Sequence, residues 1–175
     1  MHGRKKSEYK AKQQDPVISS ALVKKARQYN TLCDEIISLK NRKSIEDVSS
    51  SKSEAETIPI LEKLLLVNPD PNYLWNYRRE ILLKNHKENE GDSGIYQKEL
   101  NLTVSCLKRN PKAYAVWTYR KWIIHDWVLS SKEKLNEEEK VESRILLLEN
   151  ELKLCADFLA LDERNFHCWN YRRYV

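Results

Sequence analysis

The sequence predicts an all-α fold, a right-handed array of antiparallel helical hairpins. One phrase, Asn or Asp followed after six residues by Trp-x-Tyr-Arg and then Arg or Lys, occurs at residues 68–79, 110–121 and 162–173. Tryptophan is rare, so three copies with matched offsets indicate a repeat, and Trp-to-Trp steps of 42 and 52 residues are typical of stacked hairpins. With three glycines and 33% charged residues, the composition favours long polar helices over sheets.

Charge and hydropathy argue against several function classes. The 31 basic residues are mixed with 26 acidic ones, and no dense basic block of the kind that binds nucleic acid is present. No apolar run approaches the roughly 18 residues that a membrane-spanning helix needs, and no signal peptide is visible. The four cysteines form no CxxC pair. We therefore expect reduced thiols in a cytoplasmic protein, without a disulfide framework or a structural zinc site.

The first third of the chain is expected to precede the repeats. Residues 1–15 are polar and basic, and we expect them to be mobile. Asp15-Pro16 supplies an N-cap and a proline at the first helical position, and apolar residues at about 3.6-residue spacing predict a helix as far as Lys43. The serine-rich, charged stretch 44–53 is expected to be a linker, so residues 16–53 comprise an N-terminal helix and linker.

Residues 54–175 are predicted to form three hairpins, at about 54–94, 95–135 and 136–175. In the first two, the proline that follows the opening Asn of the motif, Pro69 or Pro111, separates the paired helices, because proline disfavours helical geometry in the residue before it. The expected helices of the second and third hairpins span about 95–109, 113–129 and 136–161, and the last helix opens at Asn165. The last helix stops at Val175, whereas the corresponding helices of the first two hairpins are expected to continue for two more turns, so we expect a fragment with an incomplete last repeat.

The tryptophan motif itself is interpreted as packing. Trp75, Arg78 and Arg79 lie three and four positions apart and share a helix face. Tryptophan and tyrosine are expected to fill the space between stacked hairpins, and arginine to bind helix-end carbonyls or neighbouring acids. Repetition at every hairpin is what packing predicts, whereas chemistry needs residues at one place. Candidate functional residues are therefore those in which the copies differ.

Lys112 is such a residue, since the other copies carry Asp70 and Arg164 at its position. It stands two residues before Tyr114, ahead of a helix N-terminus, where backbone N–H groups and the helix dipole already favour an anion. This placement is compatible with a phosphate site, and an ordinary solvated lysine is the alternative. His167 occupies a similar helix start and is otherwise a packed or surface histidine. From these residues alone, no complete active site is visible.

The motifs resemble the repeat of protein prenyltransferase α-subunits. Three segments carry the resemblance: Asp162 to Val175 (DERNFHCWNYRRYV), Asn110 to Tyr114, and the opening Met1 to Arg4. They are most similar to the Rab geranylgeranyltransferase branch of that family. The resemblance covers the N-terminus and about residues 54–175.

The resemblance implies one half of a heterodimer. Its partner would be a β-subunit, a barrel that holds the catalytic zinc and most of the lipid pocket, so this chain would bind no cofactor and be inactive alone. The heterodimer would transfer geranylgeranyl from geranylgeranyl diphosphate to C-terminal cysteines of Rab GTPases presented by an escort protein. His2 could reach toward that zinc, or belong to a disordered terminus. The alternatives are a non-enzymatic helical-repeat scaffold that binds a protein, and a farnesyltransferase-type α-subunit.

Four residues take roles from the resemblance. Lys112 matches the family lysine that faces the diphosphate, and Tyr114 matches its tyrosine neighbour. Asn165 and His167 match an Asn-Tyr-His segment at the edge of the same site, with Phe166 in place of the tyrosine, so no hydroxyl role is carried over there. The resemblance thus implies Lys112, Tyr114 and His167 as catalytic residues, Asn165 as a substrate-binding residue, and no metal ligand.

Overall fold

The computed structural model describes residues 16–45, 50–88, 94–125 and 137–175. These residues contain helices and turns and no β-strand, which confirms the predicted all-α array of helical hairpins. The helices are α1 (Pro16–Ile45), α2 (Ser50–Val67), α3 (Asn72–Glu88), α4 (Gly94–Arg109), α5 (Tyr114–Trp122), α6 (Glu137–Leu161) and α7 (Phe166–Tyr174). The predictions for residues 1–15, which include His2 and the Asp15 cap, lie outside the described residues.

The chain divides into two compact units, Met1–Val67 and Asn68–Val175. In the first, α1 packs on α2, and Ile36 of α1 is buried. Leu22, one of the apolar residues whose spacing predicts this helix, is 53% exposed. Helix α2 begins at Ser50, inside the stretch expected as linker, because serine and charged residues only weakly oppose a helix that packing stabilises.

In the second unit, the three helices that carry the tryptophan motif lie side by side. Helix α3 packs on α5, and α5 packs on α7, while α4 and α6 pair with α5 and α7 as hairpins. Helix α5 is followed by a π-helical turn at residues 123–125. The rest of the helix predicted to residue 129 lies outside the described residues. The order of the motifs along the chain is thus also their order in space.

The turn before each motif helix explains why the motif begins with Asn or Asp. The side-chain oxygens of Asn68, Asn110 and Asp162 accept hydrogen bonds from the backbone N–H two residues later, at 3.2, 3.2 and 3.1 Å. In such Asx-turns, one short polar side chain accepts a backbone hydrogen bond and thereby fixes the direction of the chain.

The tryptophan of each motif also stabilises this turn, by a hydrogen bond from the helix that follows it. The indole Nε1 atoms of Trp75, Trp117 and Trp169 donate to the carbonyls of Pro69, Pro111 and Glu163 at 2.9, 2.9 and 2.8 Å. Each carbonyl lies six residues before its tryptophan. The tryptophan therefore keeps the same offset in each motif because its indole N–H must reach this carbonyl.

The motif arginine binds an acid of the next repeat, as the packing interpretation expects. The buried Arg78 guanidinium donates from Nε and Nη2 to both oxygens of Glu99 in α4, at 2.8 and 2.6 Å. Tyr119 of α5 donates its hydroxyl to the same carboxylate at 2.8 Å. Burial and the Glu99 charge raise the pKa of Tyr119 well above its ordinary range. The three side chains form one Arg–Glu–Tyr cluster.

A second Arg–Glu–Tyr cluster joins the second and third repeats. Arg120 donates to both oxygens of Glu151 in α6 at 2.6 Å, and Tyr171 donates to Glu151 at 2.7 Å. The remaining guanidinium nitrogen of Arg120 reaches the Leu100 carbonyl at 2.9 Å and the Thr103 hydroxyl. Since every charge is paired and hydrogen-bonded, the low-polarity interior tolerates these ions.

The structure joins none of the four cysteines, all of which it describes, in a disulfide. Cys155 and Cys168 are buried in the third hairpin, and the Cys168 thiol donates to the Cys155 carbonyl at 3.5 Å. Burial raises the pKa of both thiols, that of Cys155 to about 12. Because the thiolate is the reactive form, these two cysteines are inert at neutral pH.

Candidate functional site

Lys112 lies in the turn between α4 and α5, at the surface. Its ammonium is 2.9 Å from a carboxylate oxygen of Asp162, the first residue of the third motif. This hydrogen bond raises the pKa of Lys112 and lowers the pKa of Asp162, which also accepts from the N–H of Arg164. The lysine that differs among the copies is therefore charged, partly exposed and held by the neighbouring repeat.

Tyr114 and His167 face each other beside this turn. Tyr114 is the first residue of α5 and His167 the second of α7, and their ring centroids are 5.7 Å apart with the rings tilted by 56°. Tyr114 is exposed and His167 is half-buried. Packing of α5 on α7 thus brings together two predicted residues that are 53 positions apart in the sequence.

Asn165 is buried, at 1% exposure, and fastens the two turns together. Its amide Nδ2 donates to the Pro111 carbonyl at 2.8 Å, and its Oδ1 caps α7 by accepting from the Cys168 N–H at 3.2 Å. The predicted contact of Asn165 with substrate stays a prediction. Its visible role is to hold the start of α7 against the turn that carries Lys112.

A groove of about 490 Å³ runs along α5 and α7 next to the Tyr114–His167 pair. Its lining combines aromatic rings with two cations, Lys121 and Arg173, and includes no acidic side chain. The Lys121 ammonium lies 5.0 Å from the ring centroid of Tyr174, a cation–π contact. The lining residues are Tyr114, Trp117, Thr118, Lys121, His167, Asn170, Arg173 and Tyr174.

This arrangement suits binding and stabilising an anion. Ammonium, guanidinium, phenol and imidazole groups all donate hydrogen bonds, and charge-assisted bonds from such donors are the strong ones for phosphate oxygens. Within the described segments, no three His, Cys, Asp or Glu residues are grouped so as to hold a metal ion. The groove therefore offers hydrogen-bond donors and positive charge to an anion.

Sequence reasoning missed Asp162, Lys121 and Arg173. The contact of Asp162 follows a rule that only the structure shows, in which the first residue of a motif contacts the third residue of the preceding motif. The first pair of repeats has the same contact, where Asn110 donates to both carboxylate oxygens of Asp70 at 3.0 and 3.2 Å. Lys121 and Arg173 belong to the repeated motif and were interpreted as packing residues, so nothing in a single copy distinguishes them.

Among the described helices, none combines the length and the apolar character that a membrane span requires.

Comparisons with known proteins agree with the repeat pattern. Residues 55–85, 96–127 and 148–175, together more than half of the chain, match the family model described as protein prenyltransferase alpha subunit repeat. The chain is 34% identical over 156 residues to the geranylgeranyl transferase type-2 subunit alpha of Candida albicans, covering 86% of this chain and 36% of that protein.

Two further relatives carry the same name. The protein of Rattus norvegicus is 38% identical over 124 residues, which cover 70% of this chain and 19% of the relative. That of Dictyostelium discoideum is 30% identical over 160 residues, which cover 87% of this chain and 43% of the relative. The chain thus spans less than half the length of each of these three proteins.

Proposed function

Because this chain belongs to the protein prenyltransferase α-subunit repeat family, we propose that it acts as the α-subunit part of a geranylgeranyl transferase. The enzyme transfers geranylgeranyl from geranylgeranyl diphosphate to C-terminal cysteines of Rab GTPases, which an escort protein presents. The names of the relatives support the transferase class and the geranylgeranyl group. Among the residues described, nothing favours the scaffold or the farnesyltransferase alternative.

One observation supports a direct part for this chain in the chemistry. Tyr114 and His167 come from two successive repeats and line one groove, and Lys112 stands two residues before Tyr114, paired with Asp162 of the next repeat. Two further cations, Lys121 and Arg173, line that groove. A cluster of donors with no acidic lining is what a diphosphate requires.

In the proposed reaction, the cysteine sulfur forms a bond to C1 of the isoprenoid while the bond between C1 and the diphosphate oxygen breaks. The electron pair of the broken bond leaves with the diphosphate, so negative charge grows on its oxygens. A preplaced ammonium and neutral donors stabilise that growing charge more than the ground state. In this scheme Lys112 supplies the charge, and Tyr114 and His167 supply supporting hydrogen bonds.

Asp162 is a positioning residue in this proposal. It holds the Lys112 ammonium at the turn that opens the third motif. Both charged groups are partly exposed, so the ammonium can turn from the carboxylate to a diphosphate at small cost.

The remaining parts of the enzyme are assigned to the partner. The described residues offer no metal ligand set, so the proposal leaves zinc and the lipid pocket to a β-subunit. In this scheme the chain has no transferase activity alone and works in the cytoplasm as part of a heterodimer. Co-purification tests the assembly, since a zinc-containing β-subunit that binds this chain supports the heterodimer and its absence favours the scaffold.

The Lys112→Ala variant tests the chemistry. In a heterodimer reconstituted with the β-subunit, single-turnover transfer is expected to fall about 100-fold, the lower end of what loss of one preorganised donor costs. Lys112→Arg keeps the charge and should retain part of the rate. Assembly should be unchanged, because Lys112 lies at the surface.

Lys108→Ala is the matched control. Lys108 is an exposed lysine in the last turn of α4, so its removal changes the net charge equally without touching the groove. If Lys112→Ala transfers at the rate of Lys108→Ala, Lys112 has no part in the mechanism. If both variants fail to bind the β-subunit, the proposal that this chain forms a heterodimer with it independently of these surface lysines is wrong.

A further inference from the structure

The two turns that precede α5 and α7 are joined by two polar contacts. In the first, the Lys112 ammonium lies 2.9 Å from a carboxylate oxygen of Asp162. In the second, the Asn165 amide donates from Nδ2 to the Pro111 carbonyl at 2.8 Å. The first contact joins the third residue of one motif to the first residue of the next, and the second contact joins the second residue to the fourth. The turn that carries Lys112 is therefore held at two points by the following repeat.

The corresponding turns of the first and second repeats lack the second of these contacts. Asn110 donates to the Asp70 carboxylate, which reproduces the first contact. The residue in the register of Asn165 is Ala113, whose side chain has no polar atom and which caps α5 without a side-chain hydrogen bond. Among the turns that the structure describes before the motif helices, the second contact thus occurs beside Lys112 alone. The asparagine, like the lysine, is a position at which the copies differ.

Asn165 is placed to act on the protein and not on a substrate. The residue is 1% exposed, and both ends of its amide are engaged. Its Nδ2 donates to the Pro111 carbonyl, and its Oδ1 accepts from the Cys168 N–H at 3.2 Å. A buried polar group that loses its partner is costly, so these hydrogen bonds are not exchanged for bonds to a ligand. The amide is therefore closed to a diphosphate.

The carbonyl that Asn165 binds belongs to the peptide unit from which Lys112 extends. The Pro111 carbonyl also accepts from the Trp117 indole at 2.9 Å, so its two lone pairs are occupied by one donor from each repeat. If the Asn165 bond is removed, the polar contact that remains between these two turns is the partly exposed Lys112–Asp162 pair. Exposed ion pairs of this kind contribute little to holding a geometry.

We propose that Asn165 is a positioning residue for Lys112, which fixes the backbone beside this lysine so that its ammonium is preplaced for the departing diphosphate. The inference rests on the function proposed above and deepens it, because it states how the next repeat fixes the position of the cation. Asn165 then touches no substrate, in contrast to the contact that the resemblance implies. Its loss lowers the rate through Lys112, since a displaced charge stabilises the transition state less than a preorganised one.

The Asn165→Ser variant separates the two hydrogen bonds of the amide. Serine is a good N-cap, so the Cys168 N–H keeps an acceptor, whereas the shorter side chain does not reach the Pro111 carbonyl. In the heterodimer reconstituted with the β-subunit, single-turnover transfer is expected to fall about 10-fold. This loss is smaller than that expected for Lys112→Ala, because the ammonium is displaced and not removed.

The Lys112→Ala background shows whether this loss passes through the lysine. In that background Asn165→Ser is expected to change the transfer rate by less than about 2-fold, because the group that it positions is gone. The affinity for geranylgeranyl diphosphate, measured by direct titration of the heterodimer, should change by less than about 2-fold when Asn165→Ser is introduced into either background. The effect would thus lie in the rate and not in substrate binding.

The Asp162 carboxyl of the 175-residue chain gives a second readout that needs no catalysis. The hydrogen bond from Lys112 holds the pKa of this carboxyl below its ordinary value of 3.8. Asn165→Ser should move the midpoint of its NMR titration upward, since a displaced Lys112 no longer stabilises the carboxylate. Tyr171→Phe is the control, because it removes a hydrogen bond of α7 outside both turns. It should leave the midpoint and the transfer rate in place.

Three results would overturn the inference. Equal fold-losses from Asn165→Ser with and without Lys112 would show that the asparagine acts independently of the lysine. Weaker binding of geranylgeranyl diphosphate in both backgrounds would make Asn165 a substrate contact. A comparable loss of transfer in Tyr171→Phe would attribute the effect to stability alone. In all three cases the proposed function stands if Lys112→Ala is itself slow, whereas undiminished transfer by Lys112→Ala would remove the proposed chemistry and this inference together.

Discussion

The Arg–Glu–Tyr clusters and the Lys112–Asp162 pair each join a cation to a carboxylate at a similar distance, but the clusters are buried and the pair is partly exposed. Arg120 and Glu151 are 2.6 Å apart with side chains 5% and 3% exposed, and Lys112 and Asp162 are 2.9 Å apart with side chains 42% and 35% exposed. Removing one partner strands a charge in the interior, whereas at the surface water or another anion replaces it. Burial, and not distance, separates the ion pairs that hold the repeats together from the one that is open to solvent.

The largest effect on stability is expected from Glu151→Gln, which removes the carboxylate of the buried Arg120–Glu151 ion pair. The Arg120 guanidinium would be left buried beside a neutral amide, and Tyr171 would lose a charged acceptor. We expect the free energy of unfolding to fall by about 3–5 kcal/mol, measured by urea titration.

Glu149→Gln provides the control, since Glu149 lies on the same helix and is exposed. It should change the free energy of unfolding by less than about 0.5 kcal/mol. If Glu151→Gln and Glu149→Gln lowered the free energy of unfolding equally, the buried cluster would be no more stabilising than a surface charge. Burial would then not explain which ion pairs hold the repeats together.

A smaller effect is expected from removing one hydroxyl in each cluster. Tyr171→Phe and Tyr119→Phe each delete a hydrogen bond to a buried carboxylate and keep the ring that packs on the preceding tryptophan. Each should lower the free energy of unfolding by about 1.5–3 kcal/mol, the range for bonds to charged groups. The two losses should be similar because the clusters share one geometry, and a loss confined to one variant would contradict that equivalence.

The smallest effect concerns pH and the exposed pair. Hydrogen bonds from Lys112 and from the Arg164 N–H hold the pKa of Asp162 below its ordinary value of 3.8. A carboxyl whose folded pKa is lowered stabilises the fold above its unfolded pKa, and this contribution is lost as the pH falls through the folded pKa. An NMR titration of the Asp162 carboxyl should therefore have its midpoint below 3.8, moving upward in Lys112→Ala.

Lys108→Ala should leave that midpoint in place. An Asp162 midpoint that is the same in Lys112→Ala and in the parent chain would show that the lysine is not held by this carboxylate in solution. Asp162 would then lose its positioning role, and Lys112 would be an unattached surface cation.

Much of the fold is predictable from the sequence because the motif residues act at fixed offsets. Trp117 lies six residues after Pro111 because its indole N–H donates a hydrogen bond to the Pro111 carbonyl. The motif opens with Asn or Asp because that side chain forms an Asx-turn. The start of α2 differs from the prediction because serine content indicates a turn only weakly. Local preference therefore predicts turns where a side chain fixes them, and is less informative where only composition indicates a linker.

The candidate site is less predictable, since it forms between repeats. The difference among the copies indicated Lys112, and the resemblance added Tyr114 and His167. Nothing in one copy predicts that Asp162 holds Lys112, because that contact joins residues 50 positions apart. The two charges are recognisable as partners once the repeats are stacked, and a single sequence does not contain that arrangement in any local pattern.

The constant interval from glutamate to tyrosine has a consequence for how this chain tolerates insertions. The interval is 20 residues in both clusters, whereas the interval from arginine to the following glutamate is 21 residues in one and 31 in the other. A one-residue insertion within α6 after Glu151, or within α7 before Tyr171, rotates that side chain by about 100° around its helix axis relative to the turn between the two helices. Added length between Arg120 and Glu151 leaves the cluster intact, so lengthening, tagging or grafting belongs in the segment between hairpins.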